Sequence, residues 1–298
     1  MLEKQDNGRE FTDNIPHANC RTTVIEWVKN ICEKANYNGE TVHLAVNLVD
    51  NFLVSTRENP IVGEENYHRV VAACVSIASK YLECQNKTNF LKLCNILEMD
   101  LKIVIQSEES VFTQLKGNLN IITPKHFLRF FITRGVVEQT DMILKTSSYI
   151  REGTKDVLRW TRKWAEAYVD LAIEDYKFYG AKSHLIASAA LALARLSIGI
   201  FPLWTDGLSI MTQSNWDDFF PICDALFPIF ENSKPDLCKG MMGNKAIFDE
   251  GNMDNFMTFE EMENIEKIQN NYGQGGLLQR TEGIEFVSNV GLQRTDCK

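Results

Sequence analysis

The amino-acid sequence predicts an all-α protein: two tandem five-helix bundles, each wrapped around its own buried central helix, followed by a flexible C-terminal tail. Three observations carry this expectation. Apolar residues recur at helical spacing almost throughout, as far as about Ser233. Two runs, VVAACVSIAS (70–79) and IASAALALARL (186–196), are apolar or small on nearly every side, the pattern of a helix covered all round. The second echoes the first 115 residues downstream when Ala187 is set on Ala72, which suggests a duplicated unit. Beyond Ser233, Gly, Asn, Asp and Met displace the periodic pattern. GQGG (273–276) and the near-duplicates LQRTE (278–282) and LQRTD (292–296) lie there, and the stretch reads as mostly disordered.

The elements follow in order. Val24, Trp27, Val28 and Ile31 form the stripe of a first helix, and Val42, Ala45, Val46, Val49, Phe52 and Leu53 that of a second. Asn38-Gly39 separates them, and Asn59-Pro60 ends the second. A third helix spans about 65–83 and a short fourth lies near 88–97. The fifth runs from Leu101 to about Leu119, with Asp100 placed to cap it. Thr123-Pro124 opens the second set, a capping hydroxyl followed by proline at the first helical position. Helices are expected over PKHFLRFFIT, about 156–178, 184–198, 203–211 and 217–230. Thr258 and Glu261 make a capping-box pattern that could open one more helix in the tail. The divisions are a short extension (1–19), a first bundle (20–122), a second (123–232) and the tail (233–298).

Bulk properties narrow the function classes. A formal net charge of −9 argues against binding nucleic acid through a general basic field. The eight cysteines show neither a CxxC nor a zinc-ligand spacing, so a reducing compartment with no metal and no disulfide framework is expected. MLEKQDNGREFTDN lacks an apolar signal core, and no charge-free apolar run reaches the ~18 residues of a membrane span. The five histidines (17, 43, 68, 126 and 184) are scattered and read as structural. Glu64-Glu65 and Glu108-Glu109 complete no catalytic constellation, and Trp160 and Trp164 read as core. Neither a phosphate loop nor a nucleophile elbow occurs, and no cofactor is implied. Nothing in the residues points positively to an enzyme.

Two charges stand where the pattern wants apolar groups. Lys80 interrupts the apolar run of the third helix, and Glu108 lies in the stripe formed by positions 101, 104, 105, 111, 112, 115 and 119. A carboxylate in such a stripe is costly unless paired. Two readings stand open. Lys80 and Glu108 pair with each other or with something that docks, or Lys80 snorkels at a helix C-terminus while Glu108 sits at the stripe's wet edge.

The serial motifs resemble the cyclin box. CRTTVIEW (20–27), HLAVNLVDNFLVS (43–55), VVAACVSIASKY (70–81), the glutamate-bearing fifth helix and TPKHFLRFF (123–131) occur in the family's order and spacing, over about residues 19–231. The style is nearest the A/B-type, cell-cycle members. The resemblance implies two tandem cyclin folds and a non-catalytic regulatory subunit, found in nucleus and cytoplasm. Such a subunit binds and activates a cyclin-dependent Ser/Thr protein kinase by positioning its αC helix. It implies kinase contact by Lys80 and Glu108 on backbone groups flanking that helix, with Ile77, Tyr81, Phe112 and Leu119 as apolar neighbours. Arg21 and Asp50 match a charged pair that ties the box together internally, and Cys20, Val24, Trp27 and His68 match a groove that docks substrates or inhibitors.

Departures are visible. Leu82 takes the first of two acidic positions after ASK, leaving Glu83, and Gly117 stands where many members carry an aromatic residue. Arg69 replaces an apolar residue, Cys20 a methionine, Asn30 an acid and His68 a glutamine. With 19 residues before the box, the amphipathic helix that often precedes it is expected to be missing, and neither RxxL nor KEN occurs as a destruction signal. The alternatives are a cyclin-fold scaffold of the transcriptional kind, bridging DNA and polymerase, and a helical enzyme with an unrecognised site. Nucleic acid and membrane are not among the partners expected.

Overall fold

A computed structural model describes residues 18–56, 63–84, 90–145, 147, 153–249, 255–258 and 261–262. The first bundle consists of α1 (Ala18–Ala35), α2 (Gly39–Ser55), α3 (Glu64–Leu82), α4 (Phe90–Leu97) and α5 (Leu101–Gln114). Each expected helix of this half is present. In α3, every residue from Val70 to Ser79 is buried, and α1, α2, α4 and α5 all pack on it. Small side chains (Ala72, Ala73, Ser76, Ala78) let those neighbours approach while Val71, Val75 and Ile77 fill the remaining space. Helix α5 ends earlier than its stripe suggested. Lys116 (φ 53°) and Gly117 (φ 67°) reverse the chain, so Leu119 lies beyond the helix.

The second bundle consists of α6 (Pro124–Arg134), α7 (Thr154–Glu174), α8 (Ser183–Ile198), α9 (Asp206–Thr212) and α10 (Trp216–Ser233). Thr123 caps α6, its backbone N–H donating to His126 Nδ1 at 3.3 Å. Helix α8 is buried without a break from Ile186 to Ile198 and is packed by α6, α7 and α10. Both central helices were thus legible as covered helices from composition alone.

Order continues past Ser233, where the sequence placed the start of the tail. Helix α11 (Pro235–Asp249) packs on α8 and α10. Cys238 and Met241 enter the second core, Tyr168 donates its hydroxyl hydrogen to Met241 Sδ at 3.1 Å, and Asn244 Nδ2 donates to the Leu196 and Ser197 carbonyls at 3.2 and 3.3 Å. Gly240 and Gly243 lower intrinsic helicity, and tertiary contacts on the opposite side of the helix outweigh them. A small antiparallel sheet, β1 (Met142–Leu144) between β2 (Ile200–Phe201) and β3 (Phe256–Thr258), joins the segment after α11 to this bundle without altering the helical class. The capping-box bonds between Thr258 and Glu261 are formed in both directions. GQGG and both LQRT duplicates lie outside the described residues.

A buried charge missed by the sequence reading organises the second bundle. Arg195, in the apolar run of α8, is fully buried. Its guanidinium bonds bidentately to Asp141 (Nη2–Oδ1 2.6 Å, Nη1–Oδ2 3.0 Å) and donates to the carbonyls of Val136 and Pro202, each at 2.8 Å. The offset that sets Ala187 on Ala72 also sets Arg195 on Lys80.

Polar contacts join the bundles. Arg21 meets Asp50 bidentately at 3.2 and 3.1 Å, as the internal pair expected, and also donates from Nη1 to the Ile173 carbonyl at the end of α7 at 2.8 Å. A cation there is favoured by the helix's terminal carbonyls. Arg129 bonds to Glu40, and Lys29 pairs with Glu174. His43, fully buried, places Nε2 2.8 Å from Asp170 Oδ1, which also accepts from Lys125 Nζ at 2.6 Å. Burial holds the His43 imidazole below its ordinary pKa despite the Asp170 hydrogen bond, with the positive charges of Lys125 and Lys29 acting in the same direction. Burial alone would raise Asp170, but its bonds to His43 and Lys125 hold it below the usual carboxylate range.

Two measurements check this packing. Asp141→Ala strands a buried guanidinium and is expected to cost about 3–5 kcal/mol, whereas Lys29→Ala removes an exposed pair and costs less than about 1 kcal/mol. Equal shifts in urea midpoint would contradict this. The unfolded chain protonates His43 near its ordinary 6.5 while the folded chain resists, so stability is lost as pH falls through that value. Burial shifts His126 the same way, adding a separate part to the slope. His43→Gln should therefore flatten, but not abolish, the loss of stability between about pH 7.5 and 5.5. An unchanged slope would mean that His43 does not titrate across this interface.

Candidate functional site: a groove between α3 and α5

The site begins with the geometry of α5. Asp100 caps the helix by accepting from the Lys102 N–H at 2.7 Å. Val104 and Val111 are the residues of α5 buried against the core. The apolar stripe is wider than that contact, and Leu101, Ile105 and Phe112 face outward. Positions 101, 105, 108 and 112 follow one another at spacings of four, three and four, along a single face of the helix. Glu108 therefore sits in the middle of an exposed apolar line.

Lys80 closes α3 beside it. Its ammonium donates to both Glu108 oxygens, Oε1 at 2.7 Å and Oε2 at 2.8 Å. The Lys80 side chain is 49% exposed and that of Glu108 14%. Of the two open readings, the paired one is realised, and the pair faces outward.

Around the pair lies an open groove of about 540 Å³, lined by Ile77, Lys80, Tyr81, Ile105, Glu108, Glu109, Phe112 and Leu119. The six residues that the sequence nominated share this one surface. Ile105 and Glu109 are additions, because the apolar spacing that puts Ile105 in the stripe does not tell which side of a wide stripe is covered. The glycine turn shapes the far wall. Gly117 N–H donates to the Phe112 carbonyl at 2.9 Å, and a Cβ on Gly117 would come within 3.2 Å of Phe112 Cζ. Phe112 thus fills the space beside Gly117, where many family members were expected to carry an aromatic residue.

Other nominated residues fall elsewhere. Glu83 turns inward, its carboxylate accepting from Asn38 N–H (2.5 Å), Asn38 Nδ2 (3.0 Å) and Thr41 Oγ1 (2.7 Å) at the start of α2. It is an internal cap and not a groove acid. Arg69 pairs with Glu65 one turn away on the surface. In the second nominated groove, Val24 belongs to the core, which corrects its assignment as a lining residue. Trp27 and His68 do meet, with ring centroids 3.7 Å apart, so His68 covers part of the indole. Cys20 is half-buried nearby, hydrogen-bonded to the Tyr67 side chain.

A half-exposed ion pair adds little to the stability of the free chain. Lys80→Ala and Glu108→Ala are expected to leave thermal unfolding within about 1 kcal/mol of wild type. Losses as large as that of Asp141→Ala would assign the pair a role in folding instead.

Comparison with known proteins agrees with this architecture. The family described as Cyclin, N-terminal domain, matches residues 2–120, and that described as Cyclin, C-terminal domain, matches residues 122–241. Cyclin-D of Ostreococcus tauri is 23% identical over 222 residues, 73% of this chain and 57% of the relative. Cyclin-J of Xenopus laevis is 22% identical, over 75% of this chain and 58% of its own. Cyclin-A1-2 of Arabidopsis thaliana is 27% identical over 63% of this chain and 39% of its own. The chain thus spans under three-fifths of the length of these relatives, which are of several cyclin types. The solved structure of a viral cyclin from herpesvirus saimiri shares the fold, with a TM-score of 0.53 at 17% identity over 73% of this chain and 88% of that one. Matched by both domains over most of its length, the chain belongs to the cyclin family.

Proposed function

We propose that the chain is a regulatory subunit that binds a cyclin-dependent Ser/Thr protein kinase at the α3–α5 groove, activates it and so takes part in cell-cycle control. The observation that carries this reading is the exposed Lys80–Glu108 pair inside an apolar groove. An ion pair held in place before binding loses little freedom on docking. The ammonium donates to both Glu108 oxygens and lies 4.4 Å from the centre of the Phe90 ring, and among the described residues no backbone carbonyl accepts from it.

The second bundle supplies an internal comparison. Arg195, at the matching helix position, donates from both Nη atoms to one carboxylate and two backbone carbonyls of its own chain. Lys80 has the carboxylate without the carbonyls. Backbone carbonyls at the end of a partner's helix would complete the same arrangement, while the apolar walls take a hydrophobic side chain from that helix.

Activation follows if the groove binds the kinase better with its αC helix inward than outward. Moving such an equilibrium from 1:99 to 99:1 needs a preference of about 10⁴, or about 5.5 kcal/mol. The inward helix carries the kinase's own glutamate to its phosphate-binding lysine. In this reading the Cys20–Trp27–His68 face receives docking peptides, with a preference altered by the imidazole on the indole.

The test is binding to purified cyclin-dependent kinase catalytic subunits, with phosphorylation of a Ser/Thr peptide as the second readout. Lys80→Glu and Glu108→Lys should each weaken binding to a kinase that takes the wild-type chain by about 100-fold or more, with helicity unchanged. The double exchange restores the pair but presents the charges to the wrong backbone groups, so it should stay inactive. Wild-type affinity in both single variants would defeat the assignment, as would a failure of the wild-type chain to bind any of the kinases.

A further inference from the structure

The outside of α10 carries a repeated sequence unit. DDFFP (217–221) and DALFP (224–228) stand seven residues apart, each an aspartate followed four positions later by proline. Phe219, Cys223, Leu226 and Phe230 are the residues of α10 buried against the core. Asp217, Phe220, Pro221, Asp224, Pro228 and Glu231 lie on the opposite side and are exposed. We propose that this face docks a helical segment of a partner protein, one that carries two arginines seven residues apart with an apolar side chain between them. The proposal is independent of the kinase groove on the first bundle.

Charge selects the sign of the partner. Between Arg195 and Lys234 the chain holds five acidic residues (Asp206, Asp217, Asp218, Asp224 and Glu231) and no lysine, arginine or histidine. Asp218 serves the helix start, accepting from the Asn215 N–H at 2.7 Å. Asp217, Asp224 and Glu231 form no ion pair among the described residues. Seven residues of helix rise about 10.5 Å, so these three carboxylates stand in one line of like charge. The 115-residue offset sets Lys102 and Lys116 where α10 has Asp217 and Glu231. The acidic line therefore belongs to the second bundle alone and is not inherited from the repeat.

The prolines select arginine. Pro221 and Pro228, inside the helix, have no N–H, so the carbonyls of Asp217 and Asp224 each lose the donor that a helix supplies four residues on. Helical side chains lean toward the N-terminus while the carbonyls point the other way. Each proline thus lies between a carbonyl before it and a carboxylate after it: Asp217 and Asp224 about Pro221, Asp224 and Glu231 about Pro228. A guanidinium has five N–H donors in a planar fork and serves both kinds of acceptor together. Arg195 does so inside this bundle, with Asp141 and two backbone carbonyls. A partner helix repeats the spacing of α10, so arginines seven residues apart on its face meet both sites. Phe220 supplies the apolar contact. Its ring is 48% exposed and rests on Trp216, 5.7 Å away between centroids, which leans in turn on buried Phe219 at 5.4 Å.

The probe is a synthetic helical peptide with two arginines seven residues apart on one face and two leucines between them, titrated against the full chain. Binding is expected, and it should weaken as salt rises from about 50 to about 500 mM. A peptide of the same composition with the arginines four residues apart, and one with lysines in their place, should each bind about tenfold less well. Asp224→Asn touches both sites and should cost about tenfold in affinity with thermal unfolding unchanged, and Phe220→Ala should weaken binding to a similar degree. Pro221→Ala returns an N–H to the Asp217 carbonyl, so it should raise the melting temperature while weakening peptide binding, a split that damage to the fold would not give. Equal affinity for the two arginine spacings would leave only a diffuse acidic field and overturn the proposal. So would the absence of binding at about 1 mM peptide, or wild-type affinity in Asp224→Asn. Self-association of the free chain, lost in Asp224→Asn, would assign the face to a second copy and overturn it as well.

Discussion

A cation near the end of a buried helix must be neutralised, and the two bundles meet this constraint in opposite ways. Each central helix is so apolar along its middle that its neighbours cover it there, over 70–79 in α3 and 186–198 in α8. Each also carries one basic residue at the same place in the repeat, Lys80 in α3 and Arg195 in α8. In the second bundle the segment after α6 folds over the cation and supplies Asp141 and a carbonyl, so that end is sealed. In the first, α5 supplies one carboxylate and the rest is left open. One architecture thus produces a closed, structural bundle and an open bundle fit for a partner.

The asymmetry has an energetic basis. A guanidinium with no exposure is costly unless a carboxylate neutralises it, and losing that partner is expensive. A half-exposed ammonium keeps much of its hydration, so its pairing contributes little to folding and remains available for exchange on binding. The exposed face of α5 follows the same logic. Its two buried valines are enough to seat the helix, and the adjoining Leu101, Ile105 and Phe112 are retained outside where they do not serve the core. Contacts such as Arg21 to the end of α7 and His43 to Asp170 then hold the open bundle against the closed one.

Much of this was legible in the residues. Helical spacing gave the helices, and the two uncharged runs gave the central ones. Glu108 stood out because a carboxylate at that place in a stripe has a cost, and Lys80 because nothing charged precedes it for a full ten residues. What escaped notice has physical causes. Apolar spacing tells how wide a stripe is but not how much of it is covered, so Ile105 did not stand out as a groove residue. Helix α11 was hidden by Gly240 and Gly243, whose poor propensity is outweighed by the burial of Cys238 and Met241 on α8. Arg195 passed as one polar residue among ten apolar or small ones, although the 115-residue offset marks it as the counterpart of Lys80. Val24 was placed by resemblance in a docking groove and is buried in the core, because a motif fixes sequence position but not which side of a helix is covered.

The central claim is that Lys80 and Glu108 present a prepared site to the backbone at the ends of a kinase's movable helix. A crystal structure of the chain bound to a cyclin-dependent kinase tests it most directly. The account predicts a kinase backbone carbonyl within about 3 Å of Lys80 Nζ, with an apolar side chain of the αC helix seated against Phe112. A complex in which the kinase docks elsewhere, leaving Lys80 and Glu108 in solvent, would contradict it.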